Sequence, residues 1–144
     1  MKTIPFNIIV IVIMSLNLMY VSCNKNNDDK NRVLGTWNLS IVESTTDNSF
    51  VEYPDTLDNL ISIILTDSSV VLLDGYCNAG SGKYKVNGNS IGFSDLSMTE
   101  MGCLMVEWED YLYELAYAET YTLEQDQLTI FTVGDVNLLF LKDE

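Results

Sequence analysis

From Val33 onward the apolar residues of this chain recur mostly at every second position, in short runs broken by Gly, Asn, Asp and Ser. A period of two puts alternate side chains on opposite faces of a strand, so this pattern demands half-buried β-strands rather than helices. Gly35-Thr36-Trp37-Asn38-Leu39-Ser40-Ile41 opens it, with Trp37, Leu39 and Ile41 on one face. Glu43 to Asn59 is polar and holds Pro54, which reads as a long loop. Ile61 to Leu65 and Val70 to Leu73 then form a hairpin across Thr66-Asp67-Ser68-Ser69. A second hairpin follows, Gly82 to Val86 and Ser90 to Phe93, joined by Asn87-Gly88-Asn89. Asn-Gly supplies the left-handed backbone that a tight turn needs. Thr120 to Leu123, Leu128 to Phe131 and Val136 to Leu141 close the chain as three strands.

One segment breaks the period. Met105 to Tyr117 places Met105, Trp108, Leu112, Leu115 and Ala116 at helical spacing, leaving Glu107, Glu109, Asp110 and Glu114 to face water. The expected fold is mainly β (α+β): a small curled antiparallel sheet or partly open β-barrel of about eight strands, with this one amphipathic helix as a plug. An inward Trp early in a β domain packs in the core, and Trp37 is assigned there.

The N-terminus is of another kind. Residues 1–22 hold Lys2 and an apolar run from Ile8 to Leu16, too short to span a bilayer, as in a secretory signal peptide. Tyr20-Val21-Ser22-Cys23 reads as a lipoprotein cleavage site, with a small residue before a Cys that takes acyl chains (palmitate and its kin) on its thiol and becomes the new N-terminus. Tyr20 stands where such sites usually carry Leu; the alternative is a plain signal peptide or anchor with an incidental Cys. Two or more acyl chains hold a protein stably on a membrane without spanning it. Residues 23–32 contain an Asn, Asp and Lys run with nothing to bury, a flexible acidic tether. It resembles the surface-export tethers of Bacteroidetes-type lipoproteins, as Asp55-Thr56-Leu57 resembles the O-glycosylation triplet of that phylum; the triplet is read here as loop. The expected location is the cell envelope, lipid-anchored to the outer membrane, facing the periplasm or the surface.

Charge and missing residue types narrow the function. Once the leader, whose only charge is Lys2, is set aside, six Lys and Arg face 21 Asp and Glu. Nucleic acid is excluded as a partner, since phosphate binding needs a basic face. There is no His in the chain, which removes the usual base of Ser and Cys nucleophiles and the usual zinc ligand. Gly80-Ser81-Gly82-Lys83 lacks the first Gly and the final Ser or Thr of a phosphate loop, and no Asp-x-Asp-x-Asp-Gly calcium loop occurs. No catalytic residue, cofactor or metal site is assigned, and the chain is read as not an enzyme.

Cys77 and Cys103 are the two cysteines of the body of the chain, and they bracket the second hairpin. In an exported protein they can form a disulfide that staples this unit, contributing roughly 3–4 kcal/mol on the chain-entropy model. Two buried reduced thiols are the other reading. Redox catalysis is not expected without Cys-x-x-Cys spacing or cationic surroundings.

Gly75-Tyr76-Cys77-Asn78, Gly82-x-Tyr84, Ile91-x-Phe93, Thr99-x-Met101-x-Cys103, the acidic helix, the Leu128-Thr129-Ile130 strand and the opening Gly35-Thr36-Trp37-Asn38-Leu39 together resemble the META/HslJ domain family over about residues 33 to 142, within a domain spanning 33–144. Glu100 departs from the basic residue members often carry there, and Trp108 falls where members tend to have an acid, so no acidic residue is carried over. The resemblance implies a small barrel-like fold with one helix, often on an outer-membrane lipoprotein, in a group tied to heat shock and drug tolerance with no agreed biochemical activity. A distant structural likeness of such domains to lipoprotein pilots of secretion systems implies a lipid- or peptide-tail-binding groove. Two roles follow: an envelope lipoprotein whose domain binds a lipid, a peptide or an envelope protein, with the membrane as a partner through acylated Cys23; or a purely structural, stress-protective lipoprotein without a ligand.

Overall fold

The computed structural model describes residues 30–54, 60–102 and 106–143. After a helical turn at 30–33 come nine strands: β1 (Gly35–Ser44), β2 (Phe50–Glu52), β3 (Ser62–Leu65), β4 (Val70–Asp74), β5 (Ala79–Asn87), β6 (Ser90–Met98), β7 (Ala118–Glu124), β8 (Gln127–Thr132) and β9 (Val136–Lys142). All pair antiparallel in one sheet, ordered β2-β1-β3-β4-β5-β6-β7-β8-β9, and β1 also pairs with β9. Eight strands therefore close into a barrel, and β2 is added beside β1, along the same edge as β3 but further down the strand. The expected curled or partly open sheet is a closed barrel.

Closure is uneven. β1 and β9 match over seven residue pairs, from Trp37 opposite Lys142 to Ser44 opposite Val136. Between β6 and β7 the register holds a single pair, Ser90 with Thr120, supported by the Tyr121 amide donating to the Asn89 carbonyl at 2.9 Å. Past that point the strands diverge, and the helix Val106–Tyr117 packs against β6 and β8. The plug expected from the sequence fills the one weak seam.

The barrel interior is apolar. Trp37, Leu39, Ile63, Leu65, Val71, Leu73, Tyr84, Ile91, Leu128, Ile130, Leu138 and Phe140 point inward from the strands and Leu112 and Leu115 from the helix, all buried. Trp37 is fully buried with its indole Nε1 donating to the Val33 carbonyl at 2.8 Å, so an aromatic in the core keeps its polar atom paired.

Three local expectations are corrected. Ile41 does not share the face of Trp37 and Leu39: the β1–β9 register slips between Leu39 and Ile41, and beyond this bulge Val42 turns inward while Ile41 is only half-buried. An extra residue inverts every later side chain on a strand. The loop Glu43 to Asn59 contains β2, whose three residues are all exposed and so carry no alternation to detect. The helix is wound as a 3-10 helix, with three residues per turn. Its buried positions are accordingly Glu109, Leu112 and Leu115, three apart, whereas Ala116 is exposed and Glu114 half-buried. Met105, assigned to the same stripe, and the triplet Asp55-Thr56-Leu57 lie outside the described residues.

Candidate functional site

The buried acid on the plug organises the end of the barrel it covers. Glu109 is 3% exposed, and a buried carboxylate is tolerated only when its oxygens find donors. The turn after β4 supplies them. The Cys77 and Asn78 amides donate to Glu109 Oε1, the latter at 3.0 Å, and the Asn78 side-chain Nδ2 donates to Oε2 at 2.7 Å. A cross-chain clamp thus ties the helix to the β4–β5 connection.

Asn78 extends the clamp to a third segment. Its Oδ1 accepts from the Met101 amide at 2.7 Å and from the Thr99 hydroxyl at 3.1 Å, and its Nδ2 reaches the Met101 carbonyl at 3.4 Å. One buried side chain therefore holds the β4–β5 turn, the strand end after β6 and the helix. Gly75 makes the approach possible. A Cβ there would sit 2.7 Å from the Asn78 carbonyl oxygen and 2.9 Å from Glu109 Cδ, closer than carbon contacts allow. The Gly-x-Cys-Asn and Thr-x-Met pieces of the sequence are the parts of this clamp.

Aromatic rings pack on the helix beside it. Tyr53 and Trp108 meet edge to face at 5.1 Å, and Trp108 meets Tyr111 at 5.6 Å. Burial, with Tyr76 and Glu109 adding to it, pushes the Tyr53 hydroxyl above the ordinary phenol range. Among the described residues of this end no nucleophile is paired with a base.

A shallow cavity of about 370 Å³ opens beside the clamp, lined by Met98, Glu100, Met101, Asp110 and Tyr113. Met101 and Tyr113 are 57% and 45% exposed. Apolar side chains flanked by carboxylates are suited to a ligand with an apolar body and a cationic group.

Of the residues singled out in the sequence, Cys77 sits in the clamp, its amide on Glu109. Cys103 and Cys23 lie outside the described residues. The helical period places Glu109 toward solvent, whereas the fold makes it central. The three-residue spacing of Glu109, Leu112 and Leu115 was the available signal, hidden by assuming an α-helical period. Among the described residues no group of His, Cys, Asp and Glu is arranged to hold a metal ion.

Glu114, five residues further along the helix, is the second acid drawn inward. Its Oε2 is shielded and has no hydrogen-bond partner among the described residues, and it lies by the β8–β9 turn at Gly134. Burial, and secondarily the charge of Asp135, raise its carboxyl above the ordinary carboxylate range.

The comparisons with known proteins bear on this arrangement. The chain matches the META domain family over residues 31–144. It belongs to that family. Among solved structures, this META domain is similar to a protein from Burkholderia xenovorans solved by NMR, with 19% identity and a TM-score of 0.67 over 82% of this chain and 88% of that one. It is also similar to a DUF4847-family protein from Bacteroides vulgatus, at 13% identity and TM-score 0.55 over 76% and 94% of the two chains. A further NMR structure matches at 20% identity and TM-score 0.56, over 75% and 88%. At these identities the likeness shows a shared fold. No curated protein sequence matches the chain.

Two outcomes follow for the helix acids. Glu109→Gln presents one amide NH2 where both carboxylate oxygens now accept, so in either orientation it faces a donor; unfolding free energy should fall by about 1–3 kcal/mol in denaturant titration. Glu114 has the opposite sense. Its folded carboxyl binds a proton more tightly than the unfolded one, so between the ordinary Glu value of 4.5 and its raised value stability falls as pH rises. Glu114→Gln should flatten that decline in thermal unfolding across the mildly acidic range, and an unchanged slope would show that Glu114 is not its source.

Proposed function

We propose that this META domain is the non-catalytic binding module of an envelope lipoprotein, anchored through acylated Cys23, and that it holds an extended segment of an envelope partner in the cavity beside the clamp. The observation that carries this reading is the pairing of the rigid Asn78–Glu109 clamp with exposed Met101 and Tyr113 in one opening. Large apolar side chains left beside a rigid polar network, with Glu100 and Asp110 at the rim, favour an apolar segment carrying Lys or Arg. The packed barrel interior argues for a ligand held on the outside.

Acylation of Cys23 is supported by the leader and the cleavage-site residues, and among the described residues no helix is long and apolar enough to cross a membrane. A Cys77–Cys103 disulfide is supported by the clamp, because Asn78 hydrogen-bonds Met101 and so brings the neighbour of Cys77 to within two residues of Cys103 in the chain. Such a bond would lock the turn to the strand end that the clamp already joins.

The test is photocrosslinking of the anchored chain in native envelopes, followed by identification of captured peptides. Met101→Asp should lose the captured partner while leaving thermal unfolding close to that of the parent chain; equal capture would contradict the cavity's role. Mass spectrometry of the membrane fraction should find a mature N-terminus at Cys23 carrying acyl chains, and an unacylated Cys23 would contradict the anchor. Thiol titration of the denatured chain should find Cys77 and Cys103 unreactive until reduced.

A further inference from the structure

Among the described residues β2 (Phe50–Glu52) is the strand with a neighbour on a single side: it pairs with β1 and with no other strand. Its bonds to β1 come from alternate residues. The Ser44 amide donates to the Ser49 carbonyl at 2.8 Å, and the Tyr53 amide to the Ser40 carbonyl at 2.7 Å. In an antiparallel pair such bonded positions alternate with positions whose N–H and C=O point the other way. Val51, opposite Val42, falls on the bonded positions, so the N–H and C=O of Phe50 and Glu52 point away from β1. Those groups find no other backbone partner among the described residues. The next outward position is Pro54, which has no N–H, so the edge offers the Phe50 and Glu52 amides and ends there.

The turn that leads into β2 fixes this edge in place. Thr45 donates through its amide to the Asp135 carbonyl at 2.9 Å and through its hydroxyl to the Gly134 carbonyl at 3.1 Å, which ties the hairpin to the β8–β9 turn. Within the hairpin the Ser49 amide and hydroxyl both donate to Asp47 Oδ1, at 3.1 and 2.7 Å. Those bonds lower the Asp47 carboxyl to about 2, so it stays ionised. A backbone already extended and anchored needs little further ordering when a partner arrives.

The side chains of the edge are apolar and acidic. Phe50 and Val51 are 62% and 53% exposed, on opposite faces of the strand, and an exposed apolar edge favours pairing with another chain. Phe50 and Glu52 share the outward face with Glu43 and Ile41 of β1 and with Asn137 and Leu139 of β9, as the pairs Glu43–Phe50, Ile41–Glu52, Glu43–Asn137 and Ile41–Leu139 require. Together they border a cavity of about 320 Å³, while Val42 and Leu138 are buried on the inner face. The charges here, Glu43, Asp47, Glu52 and, across the hairpin tie, Asp135, are all negative. No Lys or Arg occurs between Arg32 and Lys83 or on β8. The cation on β9, Lys142, lies opposite Trp37, with its ammonium over that ring, four residues along β1 from Ile41. Glu43, Asp47 and Glu52 therefore have no ionic partner among the described residues. Pairing β2 with the β2 of a second copy would set these acids against one another, whereas a basic strand would neutralise them.

We propose that the β2 edge takes up an extended segment of a partner polypeptide as an added strand, with a basic side chain of that segment beside Glu52 and an apolar one against Phe50. Backbone bonds to Phe50 and Glu52 supply the attachment, and the side chains choose the partner. The site is separate from the cavity beside the clamp, so its occupancy depends neither on that cavity nor on Cys23. The full chain, isotope-labelled and purified in detergent, is titrated with the synthetic peptide Thr-Lys-Thr-Phe-Thr-Lys-Thr, in which Lys and Phe share one face. Two controls are a counterpart carrying Glu for both Lys and a form N-methylated at its Lys and Phe residues. Amide–water exchange is read by NMR.

With the basic peptide near saturation, exchange of the Phe50 and Glu52 amides should slow about tenfold, since only about a tenth of the molecules stay free. The Val51 amide, which already faces β1, should not change. Glu52→Pro removes an outward donor and no bond to β1, and should weaken binding about tenfold through the loss of one hydrogen bond and one charge. Glu52→Gln, which leaves the backbone as it is, should weaken it about threefold. Unchanged exchange at Phe50 and Glu52, equal protection by the acidic counterpart, or equal binding of the N-methylated form would each overturn the proposal. Protection that appears on concentrating the chain alone would make the occupant a second copy and likewise overturn it.

Discussion

The contact between Glu109 and the turn Gly75–Asn78 is the interaction on which the rest of the structure depends. A closed antiparallel barrel is held by continuous ladders, and here one ladder, between β6 and β7, is reduced to the Ser90–Thr120 pair. An open seam would expose the apolar interior and a row of unpaired backbone groups. The helix covers it, but a 3-10 helix has poorer internal hydrogen bonds than an α-helix and needs tertiary contacts to persist at twelve residues. Leu112 and Leu115 supply burial; Glu109 supplies direction, because its two oxygens can be satisfied in only one seating of the helix. The buried carboxylate costs desolvation and returns a defined geometry.

That geometry also shapes the surface beside the clamp. The clamp fixes where Met101 and Tyr113 emerge, so the cavity beside it has rigid walls on a domain whose loops would otherwise set them. Rigid placement would lower the ordering cost of association in the proposed binding role.

Much of this was legible in the strands. Trp37, Leu39, Ile63, Leu73, Tyr84, Ile91, Leu128, Ile130, Leu138 and Phe140 alternate as their burial demands, and the Asn87-Gly88-Asn89 turn falls where its left-handed Gly88 is needed. Three features escaped for definite reasons. The β1 bulge inserts Ser40 and inverts the alternation, so Ile41 reads as core and is not; no residue type marks such a slip in advance. β2 is fully exposed and has no periodicity. Glu109 looks like a solvated helix acid because charged residues on an amphipathic helix ordinarily face water, and only its donors, contributed from some thirty residues away, make burial tolerable. The Gly-x-Cys-Asn motif was visible as a motif, but its purpose lies in a partner that local sequence does not name.

The central claim is that Asn78 and Glu109 act as one unit in seating the plug, and a double-mutant cycle tests it most directly. Asn78→Ala, Glu109→Ala and the double variant would be compared by denaturant unfolding. Side chains sharing a buried hydrogen-bond network show interaction energies of about 0.5–3 kcal/mol, and the clamp predicts a value toward the upper part of that range, with the double variant little worse than either single one. Losses that simply add, within about 0.5 kcal/mol, would contradict the account and leave the helix held by its leucines alone.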